Sequence, residues 1–357
     1  MTLAKEYERM HIRQEDRMLN GLFDIDNRLD YLTENGDMLP RLKELVPWEK
    51  FRRDLEVIYD HERKSNAGRR PFDVVMMFKI LILQSLYNLS DDEMEYQIMD
   101  RLSFMRFLDM ALDSRVPDAK TIWLFRSKLE EHKLIRKLFD KFNAFLAESG
   151  FVAKKGQIVD ATIVRVPTQR NTRDENKAIK EGKNPPVENW SDAKKRQKDT
   201  DARWVQKNGK NYYGYKNHVE ADVNYKIIRD YKVTDASVHD SNVFEELLDE
   251  SNTSRDVYAD SAYRSAKSEA NLKEGRFRAH LQRKGCKGHP LTSWEKQGNR
   301  TRARTRSRIE HIFGAMTQRA GNLILRSIGI SRAEVKLGLR NIAYNMERFC
   351  FLMRQTA

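Results

Sequence analysis

The stretch QIVDATIVRV occupies residues 157–166 and combines β-branched and apolar residues with one carboxylate, Asp160. Such a run predicts a buried strand. A carboxylate inside a strand costs free energy unless it is paired or holds a cation. Two further acids have telling contexts: Asp260 ends the short run DVYAD, and Glu310 lies in the arginine-rich helical stretch RSRIEHIFGA. Carboxylates from two strands and a helix would form an oxygen-ligand site for Mg²⁺ or Mn²⁺.

The segments around this strand alternate between strand and helix patterns. YYGYKNHVEADV and KIIRDYKVTDA predict two strands, followed by an amphipathic helix in HDSNVFEELLDE, a strand in DVYAD, a helix in SAKSEANLKE and a strand in FRAHLQ. From about Ser293 onward the chain is predicted to be helical. This order predicts an α/β, RNase H-like domain with a mixed sheet over residues 151–357. Its first strand is central and its fourth lies beside it, which makes Asp160 and Asp260 neighbours.

Residues 168–210 are polar, charged and rich in Asn, Lys and Pro. They lack apolar periodicity, so we expect a long loop or a mobile insertion in the domain formed by residues 151–357.

The first part of the chain predicts an all-α region. Residues 1–50 are interpreted as a poorly packed lead-in segment, and residues 51–150 as a helical DNA-binding domain. A buried helix is expected after Pro71, and Ser90 has the N-cap pattern of a second helix. Asp118 can cap a third helix, whose residues Lys120 and Arg126 we predict to contact DNA. Short helices that end in a basic one resemble a helix-turn-helix, although an ordinary helical bundle with solvated lysines has the same pattern.

The chain has 357 residues, of which 33% are charged and 39% hydrophobic. Its formal net charge is +13. This length accommodates two domains. The positive charge favours nucleic acid as a partner, although a cationic surface can also serve solubility. Cys286 and Cys350 are too few for a disulfide framework, and the C-x2-H spacing to His289 has no second ligand pair for zinc. The first residues do not resemble a signal peptide, so we expect a cytoplasmic protein without a membrane segment.

Further DNA contacts are predicted from two basic stretches. Tyr215 and Lys216, in YYGYK, could stack on a base and touch a phosphate, although an aromatic strand is more often simple core. RTRARTRSR precedes Glu310, and its arginines would spread around a helix between DNA backbones. The arginines assigned to DNA in this part of the chain are Arg302, Arg304, Arg306, Arg308 and Arg319. Taken singly, each acid also has a structural alternative, since an Asp at a strand end often forms a turn and Glu310 can pair with Arg306. Asp222 is a rival candidate for binding the metal.

The stretches VDATIV, YYGYK, VHDS, YADSAYR and RIEHIFG, in this order, resemble the signature stretches of DDE transposases of bacterial insertion sequences. The closest group is the one named after insertion sequence five. The resemblance covers nearly the whole chain, including GRRPFD and LSDDEMEYQIMDRLSFMRFL. It implies that Asp160, Asp260 and Glu310 form the catalytic triad. His239, in VHDS, is assigned a supporting or structural role.

The family pattern around the glutamate is often Tyr-x2-Arg-x3-Glu-x6-Lys. Arg306 and Glu310 fit this pattern, but Ala303 and Thr317 stand at the Tyr and Lys positions. Arg319 could partly replace the lysine contact. These departures affect how the transposon end is held rather than the catalytic core.

The leading hypothesis is a transposase that cleaves DNA at the terminal inverted repeats of an insertion sequence and joins the freed 3′ end to target DNA. We expect two Mg²⁺ or Mn²⁺ ions, with Asp160 bridging them and Asp260 and Glu310 each favouring one. Because two ends must be held together, a homodimer or higher oligomer on DNA is expected. The alternatives are an RNase H-like DNA nuclease without strand transfer and a non-catalytic DNA-binding regulator.

Overall fold

The computed structural model describes residues 23–60, 70–181, 190–321 and 323–356. Its N-terminal part is helical. The helices before the first strand are α1 (Asp24–Glu34), α2 (Leu39–Leu45), α3 (Arg52–Glu56), α4 (Val74–Tyr87), α5 (Asp91–Asp100), α6 (Leu102–Leu108), α7 (Ala119–Glu131) and α8 (Leu134–Glu148).

Side-chain caps and apolar runs explain these helices. The Asp73 side chain accepts hydrogen bonds from the first turn of α4, a helix whose residues are buried on nearly every side. Ser90 caps α5 by accepting a hydrogen bond from the Glu93 N–H, and Asp118 caps α7 in the same way through Thr121. Both predicted N-caps are confirmed, because each supplies an acceptor to an N–H group that has no partner within its helix.

The expectation of a poorly packed lead-in over residues 1–50 is wrong for its second half. Leu39, Leu42 and Trp48 are buried in the main hydrophobic core. Their apolar surface therefore anchors residues 39–48 against the helices that follow. α1, in contrast, has no buried residue, and residues 1–22 lie outside the described part of the chain.

The C-terminal region, residues 151–357, is built on one mixed sheet. Its strands are β1 (Gln157–Arg165), β2 (Arg203–Lys207), β3 (Lys210–Asp222), β4 (Ile228–Asp235), β5 (Asp256–Ala259) and β6 (Arg278–Leu281). β3 lies antiparallel to β1 on one side and to β2 and then β4 on the other, while β5 runs parallel to β1 and β6 parallel to β5. β1 is thus central and β5 lies beside it, which confirms the RNase H-like arrangement.

Two predictions within this region need correction. The polar segment 168–210 is not a structureless loop, since it contains the helices α9 (Arg173–Lys180) and α10 (Asp192–Gln197) as well as β2; residues 182–189 lie outside the described part. Thr172 closes a capping box with Glu175 at the start of α9, so local polar contacts replace the missing apolar periodicity. Residues 239–250 form two short 3₁₀ turns rather than an amphipathic α-helix.

Three helices complete the domain: α11 (Ala266–Glu274), α12 (Ser293–Ala320) and α13 (Ile330–Thr356). α13 joins the sheet to the N-terminal helices, and Asn345 on it exchanges two hydrogen bonds with the backbone of Ile228 in β4, at 2.9 and 2.8 Å. The main hydrophobic core is one cluster of packed side chains, and its members come from both the helical region and the sheet region, from Leu39 to Leu352. The division at residue 150 therefore stays a prediction.

No single helix in the described ranges is long and apolar enough to cross a membrane. By length and composition, α4 and α5 together would pass the same test, but they are bent by 103° relative to each other.

Candidate active site

Asp160 and Asp260 lie beside each other because two parallel strands place them there. Gln157 and Ile158 of β1 pair with Val257 and Tyr258 of β5, and each aspartate lies two positions further along its strand direction. One oxygen of each carboxylate is held by a backbone N–H group: that of Ala161 at 2.8 Å from Asp160 Oδ1, and that of Ala262 at 2.7 Å from Asp260 Oδ1. The structure thus brings together the first two predicted site residues.

Glu310 reaches the same place from α12. It lines a cleft of about 550 Å³ together with Asp160 and Asp260, which we call the catalytic cleft. Arg306, one turn before Glu310, donates from Nη1 to Asp160 Oδ2 at 3.0 Å and from Nη2 to Glu310 Oε1 at 3.4 Å. All three predicted acids therefore face one space, and an arginine connects two of them.

The electrostatics of Asp160 reflect its position. Burial raises the pKa of this carboxyl to about 6, against the lowering effects of the Ala161 N–H and the Arg306 guanidinium. The neighbouring charge of Asp260 adds to the increase. Both aspartates are partly buried, and neighbouring carboxylates of this kind are stabilised in their ionised form by a cation between them.

The donor set of the cleft fits a divalent cation. It supplies carboxylate oxygens from two strands and a helix, which are the ligands that Mg²⁺ and Mn²⁺ prefer. Over the described residues, no three His, Cys, Asp or Glu side chains stand close enough to form a metal cage as they are now arranged. The Arg306 guanidinium supplies the positive charge between Asp160 and Glu310 in this arrangement.

A buried polar cluster supports the floor of the catalytic cleft. Lys216 donates from Nζ to Asp240 Oδ1 at 2.8 Å and to the Val238 carbonyl at 2.6 Å. Tyr263 is fully buried, and the pKa of its hydroxyl is well above the usual value because of burial and then the charges of Asp160, Asp240 and Asp260. Lys216 thus holds the loop that follows β4, and the buried Tyr263 ring packs in the loop that follows β5, which Asp260 starts.

Tyr215 and Lys216 were predicted to contact DNA, and the structure corrects this. Tyr215 is 0% exposed, and its hydroxyl donates to the Asp199 carboxylate at 2.8 Å. Lys216 is 7% exposed and is held by Asp240. The alternative of an aromatic core strand is the one observed, because residues 214–221 of β3 are paired on both edges.

The predicted DNA-binding arginines have different surroundings. Arg304 is exposed and Arg302 is half-buried beside Asn299. Arg308 donates to the Val223 carbonyl at 2.5 Å, and Arg319 pairs with Glu347 at 2.7 Å. Arg302 and Arg304 therefore remain the most available for a phosphate, and their contact with DNA stays a prediction.

In the helical region, Lys120 is exposed, whereas Arg126 is held within the protein. Arg126 donates to both oxygens of Asp91, at 2.7 and 2.6 Å, and to Gln84 at 2.8 Å. This bidentate pair ties α7 to the start of α5. The structural role of Arg126 is thus evident, and its predicted DNA contact would require it to leave Asp91.

The two alternative functional residues have structural roles. Asp222 accepts hydrogen bonds from the Tyr225 N–H at 2.6 Å and pairs with Arg229 at 2.9 Å, so it holds the turn between β3 and β4. His239 receives a hydrogen bond from Ser241 N–H at the start of a 3₁₀ turn, in agreement with its predicted structural role. Cys286 and His289 pair through their backbones.

Sequence reasoning missed four residues that line the catalytic cleft: Lys207, Asn208, Tyr212 and Phe313. The first three come from the hairpin of β2 and β3. Asn208–Gly209 between two polar-aromatic stretches is a strong signal for a two-residue hairpin turn, and it could have located this hairpin.

Comparison with known protein families agrees with this geometry. A family model described as "Transposase DDE domain" matches residues 153–346, which is more than half of the chain. The chain belongs to the DDE transposase family. A second model, "Transposase domain (DUF772)", matches residues 27–128 of the transposase, in its helical region. The transposase is therefore an enzyme with DNA as its partner, from a family that depends on divalent metal ions, and the narrower group named after insertion sequence five stays a prediction.

Among solved structures, one similar chain belongs to the "Cryo-EM structure of piggyBac transposase synaptic complex with hairpin DNA (SNHP)". It has 12% sequence identity to the transposase, and the match covers 85% of this chain and 71% of that chain with a TM-score of 0.43. At this TM-score we draw no conclusion about the present transposase from the similarity.

Proposed function

We propose that this transposase cleaves DNA at the terminal inverted repeats of its own insertion sequence and transfers the freed 3′ end to target DNA, with Asp160, Asp260 and Glu310 as the catalytic residues. The observation that carries the proposal is the convergence of the three acids on one cleft with Arg306 between two of them. Neither a Ser nor a Cys nucleophile is part of the scheme, since the DNA 3′-hydroxyl or water attacks the phosphorus.

The three carboxylates would hold Mg²⁺ or Mn²⁺, and we propose two ions. Bound there, the metal supplies charge neutralisation at the scissile phosphate and polarises the attacking and leaving oxygens. Asp160 and Asp260 are pre-oriented for this role, because a backbone N–H group fixes one oxygen of each; the other oxygen of Asp160 accepts from Arg306. Such fixed ligands do not have to reorganise during the reaction.

Basic residues around the cleft would position the DNA. Lys207 lines it from the β2–β3 hairpin, and Arg306, once released from Asp160, would be free to approach a phosphate. Arg302 lies one turn before Arg306 on the same side of α12, whereas Arg304 projects from another side of this helix. Contacts of this kind fix the register of the backbone rather than reading its sequence.

Two further proposals follow from the reaction. A homodimer or a higher oligomer would hold the two transposon ends together. The transposase would act in the cytoplasm, where bacterial DNA lies.

The proposal is tested on a plasmid that carries the coding sequence of this chain with its natural flanking DNA. Wild type, Asp160→Asn and a matched control, Asp30→Asn, an exposed residue of α1, are incubated with Mg²⁺ or Mn²⁺, and the products are mapped by sequencing. We expect cuts at the element boundaries and joined products with wild type and with the control, but not with Asp160→Asn. Cuts without joining would support the nuclease alternative, and binding without cuts by wild type would support the regulator.

A further inference from the structure

The catalytic cleft continues into two neighbouring clefts. A second cleft of about 290 Å³, which we call the aromatic cleft, shares wall residues with it: Thr162, Ile163, Tyr212 and Phe313. A third of about 690 Å³, the outer cleft, lies between α5, α7 and the start of α13, and it shares Leu323, Ile324 and Arg340 with the aromatic cleft. Because each cleft shares wall residues with the next, we call the three together the junction trough, which extends from the catalytic acids to the helical region.

The middle of the trough is suited to a nucleobase. Tyr212 and Phe313 line it together with Met316 and Ile324. The Arg165 guanidinium lies over the Tyr212 ring, 4.7 Å from its centroid. Aromatic rings and stacked guanidinium groups are the surfaces on which single-stranded nucleic acids place their bases. A volume of about 290 Å³ is at the lower limit for small-ligand pockets, which start at about 300 Å³, so the aromatic cleft can admit a nucleotide but not a base pair.

One wall of the trough is lined by cations, although the charge of Asp91 acts on one of them, Lys336. Arg165, Arg326 and Lys336 form no ion pair within the described part of the chain, and Arg340 donates to the carbonyls of Met316 and Gly321. Burial, and then the charge of neighbouring Arg126, lower the pKa of Lys336. A bound anion would stabilise the charged form of a half-buried lysine that lies next to other cations.

The opposite wall of the outer cleft is different. Its cation Arg126 is neutralised, since it pairs with Asp91 at 2.6 Å. Asp92 and Glu93, also on that wall, are exposed in the first turn of α5. On the 323–340 wall, only Arg332 among the described cations forms an ion pair with an acid, 3.5 Å from Glu130. A polyanion would therefore follow the wall formed by residues 323–340.

We propose that the junction trough holds a single DNA strand that runs from the scissile phosphate past Tyr212 to Arg326 and Lys336. The proposal rests on the proposed function, because it assigns the path of the substrate strand of that same site. Bases stack in the aromatic cleft, and backbone phosphates contact the cationic wall. The trough would thus take DNA that has left the duplex rather than intact double helix.

The test measures the affinity of the full chain for a labelled oligothymidylate of about 16 nucleotides and for a duplex of the same length, by fluorescence anisotropy over a range of salt concentrations. The double variant Arg326→Gln/Lys336→Gln is compared with Arg28→Gln/Lys267→Gln, a control pair of exposed cations outside the trough. The trough variant should lower single-strand affinity several-fold and flatten its salt slope by about 1.4, from about 0.7 for each lost contact. Duplex binding and the control should change little.

A second arm replaces Tyr212 by Ala and by Phe. The alanine variant should lose about tenfold or more in single-strand affinity, because stacking is lost, while the phenylalanine variant keeps it. Equal losses on both probes, or no loss on the single strand, would overturn the proposal. Plasmid cleavage by wild type is measured separately: absent cleavage counts against the proposed function, whereas normal cleavage with unaltered single-strand binding by the variants counts against the trough alone.

Discussion

Glu220 gives a prediction about stability that can be worked out in detail. It lies on β3 opposite Val159 of β1, one position from Asp160, and is 0% exposed. Neither carboxyl oxygen has a hydrogen-bond partner among the described residues. Burial, and then the charges of Asp249 and Asp222, raise its pKa well above 4.5. The folded chain therefore keeps Glu220 protonated at pH values where the unfolded chain ionises it.

The magnitude follows from linkage. Below pH 4.5 the carboxyl is protonated in both states, and its contribution to stability is fully present. Above pH 4.5 the unfolded chain releases the proton and the folded chain does not, so the free energy of unfolding falls by about 1.4 kcal/mol per pH unit until the folded pKa is reached. The substitution Glu220→Gln removes this loss, because an amide of similar volume does not titrate.

The assay is urea unfolding of wild type and Glu220→Gln at several pH values. The difference in unfolding free energy between them should shift in favour of the variant by about 1.4 kcal/mol between about pH 5.5 and 6.5. Glu131→Gln, at an exposed site on α7, should show no such trend. A difference that stays constant over this range would refute the reasoning that Glu220 is buried and protonated.

Three further predictions concern DNA binding and packing. Replacing Arg302 and Arg304 by Ala should weaken DNA binding and lower its salt slope by about one unit per lost phosphate contact; an unchanged slope in anisotropy titrations would remove them from the interface. Gly214→Ala should lower the free energy of unfolding by at least about 2 kcal/mol in urea, since the added Cβ would lie 2.1 Å from a carbonyl oxygen of β1; near-wild-type stability would mean that the strands can move apart. Arg126→Ala should cost about 1–3 kcal/mol by leaving Asp91 unpaired, and Arg126→Ala/Asp91→Ala should recover part of it. Equal stability of the two variants would contradict the pairing.

Local patterns in the sequence were sufficient for much of the fold. The β-branched run around Asp160 and the run ending at Asp260 identified two strands whose order set the sheet. N-caps at Ser90 and Asp118 were predictable because a cap depends on residues three positions apart. The convergence of the acids followed from the strand order together with the family resemblance.

The sequence predictions failed mainly where contacts between distant parts of the chain determine the position of a residue. Tyr215 is of a residue type that often contacts DNA, so its sequence context suggested such a contact. It is buried instead, because β1 and β4 pair with it from other parts of the chain. The link between Arg306 and Asp160 joins residues 146 positions apart, and sequence spacing cannot reveal it. β2 was overlooked because it is short and largely polar, even though the Asn208–Gly209 turn marks its hairpin.

The central claim is that Asp160, Asp260 and Glu310 act as one metal-dependent site. The most direct measurement compares DNA cleavage by Asp160→Asn, Asp260→Asn, Glu310→Gln and the triple variant in Mg²⁺ or Mn²⁺, with DNA binding measured in parallel. Residues that act as a unit have strongly non-additive effects. We predict that each single variant is as inactive as the triple variant while still binding DNA. Cleavage retained by any single variant would contradict the claim for that residue.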